Sequence, residues 1–166
     1  LSKKGWKGLN IDLTKSNVEL FKKIRKKDVS IKIAASNKKG SINSYIFDPG
    51  SGLNNVNKKY AEKWKKKIKK NYTVEKIESD TLDSIIEKHS VPNNFEYLNI
   101  DVESHELKVL EGLNFEKYRP LLITCEIQSS NINEIIESKV YKFLITKKYK
   151  LISYYYLTCF FIPIEK

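Results

Sequence analysis

The sequence predicts an α/β fold in a single domain, with a mostly parallel sheet and helices on both of its faces. Strand-like apolar runs alternate with segments of helical period along the chain. One run, Pro120-Leu121-Leu122-Ile123-Thr124-Cys125, is almost wholly apolar, as a central parallel strand should be. No repeat and no Gly/Ser- or Pro-rich linker divides the 166 residues. A chain of that length with 40% hydrophobic and 11% aromatic residues can bury one core and is too apolar to be disordered.

The elements follow from the amino end. Gly8-Leu9-Asn10-Ile11-Asp12 reads as a strand, followed by a helix over about Ser16 to Lys27 with Val18, Leu20, Phe21 and Ile24 on one face. Val29 to Ala35 reads as one strand that ends in the turn residues Ser36 to Gly40. Ile42 to Phe47 is its expected hairpin partner, closed by Asp48-Pro49-Gly50-Ser51-Gly52. Residues 48–72 are the least regular part, where Tyr60, Ala61, Trp64 and Ile68 keep a thin helical stripe amid lysines. Lys63 to Lys70 reads as a solvated helix face anchored by Trp64 and Ile68.

Tyr72 to Ile77 alternates like a strand, and Asp80 or Thr81 caps a short helix carrying Leu82, Ile85 and Ile86. Phe95 to Ile100 is a strand, followed by a helix through Leu107, Val109 and Leu110 that Gly112 stops. Beyond the apolar run, a long helix over about Ile132 to Lys147 buries Ile132, Ile135, Ile136, Val140, Phe143 and Leu144. Two strands, Leu151 to Leu157 and Cys159 to Ile164, close the chain.

Composition removes several function classes. No run approaches the roughly 18 apolar residues of a membrane span, and no apolar stretch follows Lys3 and Lys4 to make a signal peptide. Cys125 and Cys159 lie in apolar stretches and read as buried thiols of a cytoplasmic protein. The net charge of +11 attracts polyanions, but nearly all of the excess is Lys. Base and phosphate recognition leans on arginine, so specific nucleic-acid binding is not expected. The absence of any Met, even at position 1, points to a processed or trimmed chain.

In parallel sheets, ligands sit beyond the carboxyl ends of the strands, which directs attention to Asp12, Ser36, Asp101 to Glu106, and Glu126. Asp12 fits two roles: acceptor for a ribose diol, or acidic start of the next helix. Asp101-Val102-Glu103-Ser104-His105-Glu106 gathers three carboxylates and an imidazole at a strand-to-helix junction. Such a group can supply a general base, hold a divalent cation or orient a polar substrate; equally, acids favour a helix N-terminus through its dipole. Zinc ligand spacing, a nucleophile elbow and a Walker phosphate loop are all missing, and His89 reads as solvated.

Several blocks in order resemble the FkbM-type methyltransferase family. They are Gly5-Trp6-Lys7-Gly8-Leu9-Asn10-Ile11-Asp12, then Asn17, Leu20-Phe21, Arg25, Asp28 and Ala34-Ala35-Ser36. Thr81 to Ile86, Leu98 to Glu106 with Val109-Leu110-Glu111-Gly112, and Tyr118-Arg119-Pro120 leading to Glu126 follow. The resemblance runs from about Gly5 to the C-terminus and is most specific in the Leu98 to Glu106 block.

It implies a Rossmann-like class I methyltransferase fold with a C-terminal antiparallel strand. It also implies S-adenosylmethionine as cofactor, and methyl transfer to a hydroxyl of a sugar or similar small metabolite. By the same resemblance, Asp12 matches the acid on the cofactor's ribose, and Ala35 and Ser36 match the segment beside its adenine. Asp101, His105 and Glu106 fall near the transferred methyl group as catalytic candidates, with Glu103 and Glu126 toward the acceptor. No resident metal is implied, and acceptor choice would lie in residues 48–72. Two departures stand out: Ser104 replaces the family's Gly, and the family's first strand with its glycine-rich turn would precede Gly5. A sheet lacking that strand either re-pairs or exposes an edge through which copies associate. The runner-up reading is a non-catalytic module whose basic surface binds polyanions.

Overall fold

The computed structural model describes residues 1–129 and 131–164. The first unit is β1 (Leu9–Asp12), α1 (Lys15–Ile24) and β2 (Val29–Lys32), with β1 and β2 parallel. Asp28 fastens it: its fully buried carboxylate accepts from the Gly8 amide (3.1 Å), the Asn10 side chain (3.2 Å) and Arg25 Nε (2.5 Å). Thr14 caps α1 by accepting from the Asn17 amide. The helix stops at Ile24, short of the expected end, and packs through Val18 and Phe21. Leu20 and Ile24, expected on the buried face, are 53% and 64% exposed, because a helix lying on two short strands has little apolar surface to cover.

The expected strand Val29 to Ala35 is two strands. At Ile33 the amide donates to the Asp12 carbonyl (3.2 Å), and the chain then leaves for a different sheet as β3 (Ala34–Ser36). The next strand, β4 (Gly40–Ile46), does not fold back on it as a hairpin. Both instead pair with β5 (Thr73–Thr81), β3 parallel and β4 antiparallel, in the order β3-β5-β4. The nine-residue β5 is long enough to pair with both strands, so it displaces the local hairpin.

Between β4 and β5, the segment expected to be irregular holds α2 (Lys58–Ile68). Asn57 caps it, accepting from the Lys59 and Tyr60 amides. Tyr60 and Ala61 are its buried anchors, with Trp64 packed beside them. Ile68, expected to anchor the helix, is 38% exposed. The lysines face outward, and Lys67 Nζ lies 4.3 Å above the Trp64 ring.

The second half contains α3 (Leu82–Lys88), β6 (Tyr97–Ile100), α4 (Glu106–Glu111), β7 (Leu122–Glu126), α5 (Ile132–Glu137), α6 (Lys139–Thr146), β8 (Tyr149–Tyr155) and β9 (Thr158–Pro163). Thr81, not Asp80, caps α3. The long helix expected over Ile132 to Lys147 is broken at Ser138, whose backbone is extended (φ −64°, ψ 148°). Its hydroxyl accepts from the Tyr141 amide and starts α6, the local bond by which serine competes with helix continuation. Ile135, Val140 and Leu144 are buried, whereas Ile132 and Ile136 are about 40% exposed.

These strands form a sheet in the order β6-β7-β9-β8. The apolar run is therefore interior, as expected. Its neighbours differ: β6 runs parallel to β7, and β9 antiparallel. Among the described residues, three strand pairings are parallel and three antiparallel, so the expected mostly parallel sheet is replaced by short mixed ones. The cause lies in the long β5 and in the tight turn at Tyr156-Leu157, which returns β9 alongside β8. Cys125 and Cys159 oppose each other in the β7–β9 register, both buried and both free thiols. The principal core gathers Leu110, Ile123, Ile135, Leu144, Tyr149 and Phe161 around this sheet. No described helix is long and apolar enough to cross a membrane.

Candidate functional site

The ends of β1 and β6 and the start of β3 open on one cavity of about 740 Å³, within the range of small-molecule sites, whose wall includes neither Ser36 nor Glu126. β1 and β6 line it along their whole lengths, and Asp12, Ala35, Asp101, Glu103 and His105 face it. Among the described residues β1 pairs only with β2 and β6 only with β7, so each keeps an unpaired edge. Asp12, the last residue of β1, is engaged locally through both carboxylate oxygens. Its Oδ1 accepts from the Thr14 amide (2.7 Å) and hydroxyl (2.9 Å), and its Oδ2 from Asn17 Nδ2 (3.0 Å). Each carboxylate oxygen has two acceptor positions, so Oδ2 retains one for a ligand hydroxyl.

At the end of β3, Ser36 is buried, with its Oγ 3.1 Å from His105 Nε2. Burial, helped by the nearby charge of Lys108, lowers the His105 pKa and favours neutral imidazole. A close approach locks β3 against the end of α4. A Cβ on Gly112 would stand 2.1 Å from the Ser36 carbonyl oxygen, so only glycine fits.

After β6, the loop Asp101 to His105 carries Glu103 and Ser104 in left-handed conformations (φ 53° and 71°). Ser104 thus holds a backbone geometry that glycine adopts without strain. The Ser104 amide donates to Glu106 Oε1 (2.9 Å), so the buried Glu106 carboxyl folds back onto its own loop. Burial raises the Glu106 pKa, and its side chain is not part of the cavity wall.

The loop and β7 bring Asp101, Glu103 and Glu126 together, with carboxylate oxygens within 4.8 Å of one another. Such oxygens suit either a shared proton or a divalent cation. Burial, then the charges of Asp101, Glu103 and Glu106, push the Glu126 pKa up to about 7. Asp101 opens to the cavity, but partial burial still raises its carboxyl pKa; its hydrogen bond with Glu126 works in the opposite direction. Burial also raises the Glu103 pKa, offset in part by a hydrogen bond from the Tyr60 hydroxyl.

Tyr60 and its neighbour Asn57, which donates to the Ser104 carbonyl (3.2 Å), are not among the residues expected from the sequence. Asn57 is legible there as a helix cap and Tyr60 as an apolar anchor, but nothing local tells that α2 reaches the acidic loop. His89 follows α3 and is absent from the cavity wall.

A cavity at the carboxyl ends of strands, with carboxylates in its wall, is where α/β proteins bind their ligands. The model of one family, the methyltransferase FkbM domain, matches residues 1–149. The chain belongs to this methyltransferase family. No curated protein and no solved structure gives a significant match.

Proposed function

We propose that this domain transfers the methyl group of S-adenosylmethionine to a hydroxyl of a small metabolite such as a sugar. The single observation that supports it most is the shared cavity, whose lining includes Asp12 together with Asp101 and Glu103, with Glu126 grouped beside those two carboxylates outside the wall. The cofactor supplies an electrophilic methyl group on a sulfonium. The residues present fit it: Asp12 keeps a free acceptor position for a ribose hydroxyl, and Ala35 offers a small side chain beside it in the cavity wall. Ser36 acts from behind, holding His105.

Displacement at a methyl group needs alignment of the two atoms and removal of the hydroxyl proton. Asp101 and Glu126 accept that proton in this reading, since Glu126, with its pKa pushed up to about 7, takes up and releases a proton near neutral pH. Glu103 and Glu126 orient the acceptor, and neutral His105 contributes a hydrogen bond. Glu106, first a candidate base, serves here to brace the loop, because its carboxyl already binds the Ser104 amide. The proposal extends to a cytoplasmic enzyme whose unpaired β1 and β6 edges permit association between copies, with residues 48–72 tuning the acceptor.

Calorimetric titration with S-adenosylhomocysteine tests the reading. Heat of binding that Asp12→Asn weakens supports it. Absence of heat, together with salt-sensitive binding to anionic polymers, would establish the basic-surface reading instead, for which the lysines lining a shallow depression on α2 speak.

A further inference from the structure

We infer that the first turn of α2 sets the geometry of the acidic loop, with Tyr60 and Asn57 as positioning residues for Glu103. This rests on the proposed methyl transfer only for its kinetic consequence; the structural part stands by itself.

Glu103 and Ser104 are consecutive non-glycine residues with positive φ (53° and 71°). Such a pair persists only where the surroundings over-determine it. Three hydrogen bonds do so here, and two of them come from α2, more than 40 residues earlier in the chain. The Tyr60 hydroxyl donates to the Glu103 carboxylate, and Asn57 Nδ2 donates to the Ser104 carbonyl (3.2 Å). The third is internal, from the Ser104 amide to Glu106 (2.9 Å).

The α2 side of this link is itself fixed. Asn57 uses its other side-chain atom, Oδ1, to cap the helix by accepting from the Lys59 and Tyr60 amides. Tyr60 is 9% exposed, and burial followed by the Glu103 bond raises its hydroxyl pKa, so it keeps its proton and remains a donor. The Trp64 indole N–H sits beside that hydroxyl, near enough to weaken the rise, though it completes no hydrogen bond of good geometry. Tyr60, packed beside Trp64 on α2, therefore aims a cavity-wall carboxylate that stands with Asp101 and Glu126. A freely rotating Glu103 would leave this group, and the acceptor hydroxyl would lose one of its orienting partners.

Two variants separate the links. Tyr60→Phe keeps the ring and removes the donor; Asn57→Ser keeps a capping oxygen but removes the amide donor to Ser104. The carboxyl carbon resonance of Glu103 and amide exchange at Glu103 and Ser104 are measured at neutral pH in the full chain. The expected result is a displaced Glu103 resonance in Tyr60→Phe only, with amide exchange faster by at least tenfold in both variants. In methyl-transfer assays Tyr60→Phe should lower kcat by at least tenfold and leave cofactor Kd unchanged. An unmoved Glu103 resonance with wild-type exchange overturns the inference, as does a wild-type kcat in Tyr60→Phe. A wild-type chain that transfers no methyl group refutes the proposed function instead, and the two spectroscopic readouts still decide this one.

Discussion

The Ser36 hydroxyl and His105 Nε2 meet at 3.1 Å across 69 residues of sequence, tying the end of β3 to the residue that begins α4. The contact places an imidazole in the cavity wall and holds it where water is scarce. His105 therefore resists protonation, and its pKa lies below the ordinary histidine value. A group with a lowered pKa in the folded state contributes nothing against folding above its unfolded pKa and opposes folding as pH falls below it. Thermal stability should decline as pH drops from about 6.5 toward the lowered folded value. His105→Gln should flatten that part of the profile, as read by circular dichroism melts at several pH values.

Glu126 has the opposite sign. Its pKa is raised from 4.5 to about 7, so its contribution is fully favourable below pH 4.5 and is lost as pH rises through 7. Glu126→Gln should raise urea resistance at pH 8 and change it little at pH 4. The same variant should abolish the rise of methyl transfer with pH near 7. A rise that survives the substitution would move the base to another residue.

Ser104→Gly should stabilise the domain by about 0.5–1 kcal/mol, because a serine at φ 71° carries left-handed strain that glycine lacks, less the entropy that glycine loses on folding. Equilibrium urea unfolding would measure it, and a neutral or destabilising result would show that Ser104 gains from contacts what its backbone gives up.

Gly112→Ala should destabilise by about 1–3 kcal/mol, since the new methyl meets a backbone carbonyl that cannot rotate away. The clash separates β3 from α4, so the Ser36–His105 contact should loosen as well. The His105 pKa, followed by NMR, should then move up toward its ordinary value.

The strand-end placement of Asp12, Ser36, Asp101 and Glu126 is legible in the sequence, because alternating strand and helix periods locate strand ends without knowledge of pairing. Pairing itself is not legible. β4 has the local signature of a hairpin with the preceding strand, yet β5 takes both, and only tertiary competition decides that. Ser138 carries a local signal: a serine followed by a fresh helical run is a cap, and it splits one apparent helix in two. Leu20 and Ile24 share a helical face with Val18, but periodicity cannot tell how wide a surface awaits that face. The acidic group is half legible. Asp101 and Glu103 lie close together in sequence, whereas Glu126 joins them through β6–β7 register and Tyr60 through a helix far upstream.

The single residue Ile33 between β2 and β3 governs which changes of chain length this protein can absorb. Lys32 closes the register with β1 and Ala34 opens the register with β5, while the Ile33 amide is spent on the Asp12 carbonyl. One inserted or deleted residue at that point would swap inside for outside along one of the two strands. Either Ser30 would lose its buried place in the first sheet or Ser36 would turn away from His105. Relatives of this chain should accordingly vary in length at the exposed Asn37-Lys38-Lys39 turn, and should hold the spacing from Asp12 to Ser36 constant.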